Sequence, residues 1–380
     1  MNKILVAASS ALLLAAACGD VNDATVEQQE TPRPEPVGVI ASDALSGLPS
    51  TPTGIDFWTH PNVAFNSLII VASADGLSSY NVEDGSPVSS APGFAYQGVA
   101  VSYIGFGPLA AGIVAAYNEA DGAFDIYGVD NASRLFLPLD GGPTIRGAVR
   151  GYCIGRADSN PDPTLFVVQK GELTILNVTP SIDGDTPGVA VNGETGMTIP
   201  DTITACAVDT AGVVYLLADD GEIYRIDSDR AFAAPFAIAY ADNPGGMVFL
   251  GSAGGDASSV SGQIAVLDGE NGLIELFDAS DGHALGAARI DAGDEIDAVT
   301  HAVAIGGSAA NLGGLYRDGA IALGVDGDAP AVRLAPANGV ANALGVPPLP
   351  PANPRGVAPT PPETDDLIID FEPPATTEQD

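Results

Sequence analysis

The feature that most constrains this chain is an internal repeat. Five stretches share one grammar: LIIVASADGLSSYNVEDG from Leu68, IVAAYNEADGAFDIYGVDN from Ile113, LFVVQKGELTILNV from Leu165, VVYLLADDGEIYRIDSD from Val213 and IAVLDGENGLIELFDASDG from Ile264. Each reads as a strand, a tight glycine turn, and a second strand ending in Asp-rich punctuation. Aligning the ends of the second strands places Val82, Val129, Val178, Ile226, Ala279 and, more faintly, Val325 in register, at intervals of 46 to 53 residues. That period belongs to propeller blades rather than to helical solenoids. One such unit cannot bury both faces of its sheet alone, so the units must stack radially, and a closed ring leaves no long exposed edge. The repeat therefore predicts an all-β, six-bladed β-propeller. The segment from Ser42 to His60 precedes the first full unit and is expected to supply a strand to the last blade, locking the ring.

Outside the repeats the chain changes character. A lone Lys3 is followed by an apolar run from Ile4 to Ala17, too short to span a bilayer but suited to an export signal. Ala15, Ala16 and Ala17 then meet Cys18. This resembles a bacterial lipobox, in which the signal is cut before the cysteine and the cysteine carries the lipid; an ordinary cleaved signal with a chance cysteine is the alternative. The expected organisation is a signal over 1–17, a flexible tether over 18–38, the propeller over 39–328, and a Pro-rich acidic tail over 329–380, expected to be disordered. Both readings of the leader imply export, and the lipobox implies a membrane-anchored lipoprotein on the outer membrane, in the periplasm or at the cell surface.

With Cys18 assigned to the anchor, Cys153 and Cys206 remain. An oxidising compartment permits a disulfide between them, and the separation of about one blade makes it possible; two buried free thiols are the equal alternative. The net charge of -36 and pI near 4.1 exclude a general nucleic-acid binder, because no basic face exists to displace counterions from phosphates. Solubility in a salty medium accounts for such acidity; collection of calcium by surface carboxylates is the functional alternative. A monomer is expected.

The usual catalytic signatures are missing: there is no GxSxG elbow, Walker loop, HExxH or CxxC, and the histidines are His60, His283 and His301. The many Asp-Gly pairs read mostly as hairpin turns. The ordered series of segments, however, resembles the β-propeller phytases. FWTHPN from Phe57 is similar to their opening DDPAIWVHP, VAAYNEADGAFDIYGVD to their second-blade segment, and RGYCIGR with LFVVQKGELTIL to their third. TACAVDTAGVVYLLADDGEIYRI and DEIDAVTHAVAI continue the series in order.

That resemblance covers about residues 50 to 327 and implies calcium-dependent hydrolysis of phosphomonoesters of inositol hexakisphosphate (phytate) or another phosphoester. It implies catalytic roles for Tyr152, Lys170 and Glu172, substrate binding by Asn118 and His301, and Ca²⁺ ligation by Asp219, Asp220 and Asp297. The residue-level alternatives are plainer: a hairpin charge for Lys170, packing at the channel mouth for Tyr152, and a turn for Asp219 and Asp220, with Trp58 in the core and His60 structural. The family's acid and arginine positions are also replaced in several places, by Thr53 and Gly54, by Gln97 through Ser102, by Glu119, Thr204 and Gly245, and by Ala302 through Ala304. The competing function is a non-catalytic propeller that binds a ligand or protein at the cell surface. The composition of the channel mouth separates the two: four or more converging carboxylates favour hydrolysis, and a neutral or apolar mouth favours binding.

Overall fold

In the five clear repeats the two strand-like runs become the second and third strands of an antiparallel meander, with a strand added on either side; in the sixth the register differs, because Val325 ends the blade's second strand and not its third. The computed structural model describes residues 35–157, 160–183, 186–227, 235–253, 260–293, 296–349 and 352–356. Two short strands, β1 (Val37–Ile40) and β2 (Asp43–Ser46), precede the first blade, which is β3 (Pro52–Trp58), β4 (Leu68–Ser73), β5 (Gly76–Asn81) and β6 (Pro87–Pro92). The second blade is β7 (Ala100–Ile104), β8 (Ala111–Asn118), β9 (Ala123–Val129) and β10 (Phe136–Leu139). The third is β11 (Gly151–Gly155), β12 (Thr164–Gln169), β13 (Glu172–Asp183) and β14 (Thr186–Thr198), and the fourth is β15 (Ile203–Val208), β16 (Val214–Ala218), β17 (Glu222–Ile226) and β18 (Phe236–Tyr240). The fifth is β19 (Pro244–Ala253), β20 (Val260–Asp268), β21 (Leu273–Asp278) and β22 (Ala284–Asp291). The sixth, the faintest repeat, is β23 (Ala304–Ser308), β24 (Ala320–Val325) and β25 (Ala331–Pro336), followed by α1 (Ala337–Leu344).

Second strands are covered on both faces by neighbouring blades. All six residues of β4 and all five of β16 are buried, which is why they read as continuous apolar runs rather than as alternating ones. Fourth strands lie at the rim, and none of the residues of β6 or β18 is buried. Apolar clusters fill the wedges between adjacent blades; Trp58, Leu68 and Ile70 of the first blade pack with Tyr103 and Val114 of the second.

The ring closes as the sequence predicts. β2 pairs antiparallel with β25, Asp43 opposite Leu334 and Ser46 opposite Ala331, and so becomes the fourth strand of the sixth blade. An N-terminal strand and a C-terminal strand therefore share one sheet, which couples the two ends of the propeller. β1 was not foreseen: it adds a fifth, parallel strand to the fifth blade, Val37 opposite Ala288 and Ile40 opposite Asp291.

Two boundaries shift. The fold begins at β1, two residues inside the expected tether. It also runs past 328, because β25 completes the sixth sheet, α1 buries Ala337, Val340 and Ala341, and residues 352–356 reach the channel floor. Proline and acidic residues further along made the whole stretch look like a tail, yet the small side chains of β25 and α1 pack closely. Residues 1–17, Cys18 and most of the tether lie outside the described residues, as do 357–380.

Cys153 on β11 and Cys206 on β15 are bonded, with Cα atoms 5.6 Å apart. They sit within neighbouring inner strands, and the bridge ties the third blade to the fourth.

Candidate functional site: the central channel

The six inner strands, β3, β7, β11, β15, β19 and β23, converge on the axis, and converging backbones leave little room for side chains. A Cβ on Gly54 would lie 2.6 Å from the Cα of Gly98, one on Gly151 would lie 2.3 Å from the Thr204 carbonyl, and one on Gly306 would lie 2.6 Å from the Ile55 carbonyl. Glycine at these positions is thus a packing requirement of the ring. The strands enclose a cavity of about 390 Å³ lined from its upper end, where the inner strands begin, to its lower end, where Ala352 and Pro354 join the lining.

The wall of this cavity is close to neutral. Asp56 of β3 is the one carboxylate among its described lining residues, and Arg150 at the upper rim is the one cation. Asp56 lies deep in the ring, and one carboxylate oxygen accepts the Phe57 N–H at 2.7 Å while the other accepts the Val101 N–H at 2.7 Å. Burial pushes its pKa up to about 7, against the two backbone hydrogen bonds that pull it down. Tyr152 lines the same wall, receives the Tyr117 N–H at 3.1 Å and packs edge-on against Phe124; burial raises its phenol above the ordinary value. The hydroxyls of Thr53 and Thr204 donate to the Tyr96 and Leu217 carbonyls.

The other residues singled out in the sequence stand around the upper end, on separate blades. Asn118 is 1% exposed and closes the β8–β9 turn, its Oδ1 accepting the Ala120 N–H and its Nδ2 donating to Asp121. Lys170 and Glu172 are exposed on the β12–β13 hairpin, and Lys170 faces Asp201 at 3.9 Å with its side chain 70% exposed. Asp219 and Asp220 occupy the β16–β17 turn, where Asp220 accepts the Glu222 N–H, as the turn reading expects. Asp297 and His301 are exposed on the connection into the sixth blade, and His301 faces Asp326 at 3.9 Å.

Tyr152 alone of these reaches the channel wall. No three His, Cys, Asp or Glu among the described residues gather into a group able to hold a metal ion. Ca²⁺ takes six to eight oxygen ligands; Asp219 and Asp220 stand on the fourth blade and Asp297 on the connection into the sixth. Trp58 is fully buried in the core, and His60 is structural: its Nδ1 accepts the Asn62 and Val63 N–H groups. Sequence reasoning missed two residues. Asp56 could have been suspected as a lone acid inside an otherwise apolar inner strand; Arg355 gave no signal.

No protein-family model matches the chain, and no curated protein matches it. Among solved structures it is similar to Kluyveromyces lactis Hsv2, with 13% identity and a TM-score of 0.37 over 72% of this chain and 71% of that one. A second structure of Kluyveromyces lactis Hsv2, with complete loop 6CD, matches at 13% identity and a TM-score of 0.37 over 72% of this chain and 70% of that one.

Proposed function

We propose that this protein is a non-catalytic binding propeller, whose upper channel mouth takes a small, neutral, hydroxyl-bearing ligand. The observation that carries the reading is the composition of the wall. Its one carboxylate has both oxygens engaged by backbone N–H groups, and apart from Arg150 at the rim the rest of the lining is uncharged: backbone, Tyr152, Thr, Ser, Gln, Gly and apolar residues. A cavity of about 390 Å³ falls within the size range of small-molecule sites. Near-neutral walls with scattered donors and acceptors suit a polyol or sugar better than a polyphosphate, which demands cations or basic side chains to offset its charge.

Phosphoester hydrolysis is the second reading, supported by the ordered resemblance of segments and by Arg150 and Lys170 near the rim. Calorimetry of the soluble domain with Ca²⁺, followed by phosphate release from calcium phytate, separates the two. The binding reading expects no stoichiometric Ca²⁺ uptake and no release. In a native mass-spectrometry panel of neutral polyols and sugars, it expects an adduct that Gly98→Trp abolishes by filling the mouth. Turnover that Glu172→Ala or Asp297→Ala removes would overturn it in favour of hydrolysis.

A further inference from the structure

Next to Pro354 of the channel lining, one side chain enters the wedge between the first and second blades. Arg355 is 4% exposed, and its guanidinium lies 5.2 Å from the Trp58 ring centroid and 4.7 Å from that of Tyr103. Nε and Nη2 both donate to the Thr59 carbonyl, at 3.0 and 2.6 Å. Nη1 donates to the Ala110 carbonyl at 2.5 Å, and Nη2 also to Asn131 Oδ1 at 3.2 Å. Every acceptor is neutral and belongs to the first two blades. Planar stacking with a fork of donors is what arginine offers and lysine does not.

Part of the receiving surface is held by contacts that do not involve Arg355. The Tyr103 hydroxyl accepts the Thr59 N–H at 2.7 Å and is paired with the Thr59 hydroxyl at 2.8 Å, which fixes the residue whose carbonyl meets the guanidinium. The incoming segment carries turn bonds of its own besides those to Ala309, Gly107 and Arg156. Asn353 Oδ1 accepts the Arg355 N–H at 3.2 Å, and the Gly356 N–H donates to the Asn353 carbonyl at 2.9 Å. Gly356 has φ +64°, and a Cβ there would lie 2.3 Å from Arg156 Nη2, so glycine is required beside the arginine. The connecting sequence VPPLPP (346–351) carries four prolines, which lowers the conformational entropy lost on docking. A site lined by carbonyl acceptors and aromatic faces, and a motif with its own turn on a proline-rich connection, are the parts of a receptor and its peptide.

We propose that the wedge between the first and second blades is a receptor site for an arginine side chain carried by a peptide of the Asn-Pro-Arg-Gly kind, filled here by Arg355 and able to take the same motif in trans when residues 352–356 do not compete. This does not depend on what the upper mouth binds.

The test replaces residues 352–356 in the full chain with Ser-Gly-Ser-Gly-Ser and titrates the acetylated, amidated peptide PPANPRGV. Trp58, the sole tryptophan, reports occupancy by its fluorescence. Saturable binding is expected, weakened about 10- to 100-fold when the peptide's arginine becomes alanine, with the lysine peptide failing to restore it. A folded variant that ignores the peptide, or binds the alanine peptide equally, overturns the proposal. Should the replacement not fold, hydrogen exchange on the unaltered chain decides. The Ala352 and Gly356 amides, bonded to Ala309 and Asn353, are expected to exchange at least about tenfold faster than inner-strand amides, through local opening. Exchange of these amides only with the whole ring overturns detachment.

Discussion

A single carboxyl and a single missing methyl illustrate how much the packing of the blades asks of individual residues. Asp56 ionises near 3.8 in an unfolded chain and near 7 in the folded one. Between those values the folded state retains a proton that the unfolded state has lost, so this residue's contribution to stability falls as pH rises from about 4 to about 7 and is flat above. The shift corresponds to at most about 4 kcal/mol. Asp56→Asn removes the titration. Urea melts at pH 4.5 and 7.5 should show a larger loss of stability across the interval for the wild type than for the variant, and equal losses would refute the burial argument. Gly112 makes the complementary point, because a Cβ there would lie 2.1 Å from Trp58 Nε1 within a fully packed cluster. Gly112→Ala is expected to cost about 2–3 kcal/mol through overpacking, measured by denaturant unfolding followed at Trp58.

Pairs of elements carry the next layer of argument, and here the cross-link between β11 and β15 is decisive. Cys153 and Cys206 close a loop with a sequence separation of 53, for which the chain-entropy account gives about 4 kcal/mol, less whatever the reduced state retains. The double substitution Cys153→Ala, Cys206→Ala should lower unfolding free energy by about 2–4 kcal/mol, and an unchanged denaturation midpoint would show that the bridge restrains nothing. The same scale explains what could be read beforehand. Hairpins such as β8–β9 and β16–β17 were legible because an apolar run, a glycine and a second run lie within about 15 residues. β1 was not, since a parallel rim strand has no turn to announce it, and β25 was hidden by a composition typical of tails. At the site, Tyr152 and Asn118 were picked out, but whether a polar side chain lines an axis or closes a turn depends on where its strand ends. Arg355 owes its role to a return path that no local pattern encodes.

At the scale of the whole molecule, the excess of acid over base governs behaviour that no pair of residues controls. A chain of net charge -36 repels itself most when compact, so folding concentrates like charge and salt should relieve the cost. Asp219, Asp220, Asp297 and Glu172 stand exposed around the upper rim, and the Debye length shrinks from about 10 Å at 0.1 M to about 3 Å at 1 M salt. The melting temperature should therefore rise by several degrees as NaCl increases across that range. The comparison with CaCl₂ at equal ionic strength carries the argument further. If calcium acts by screening, the two curves should coincide within a few degrees. A resident ion would instead add stabilisation that follows mass action, growing with the logarithm of free Ca²⁺ above its dissociation constant. A steep calcium-specific rise at millimolar concentration would show that carboxylates separated in this structure converge on an ion, and the neutral-ligand reading of the channel would give way to the hydrolytic one.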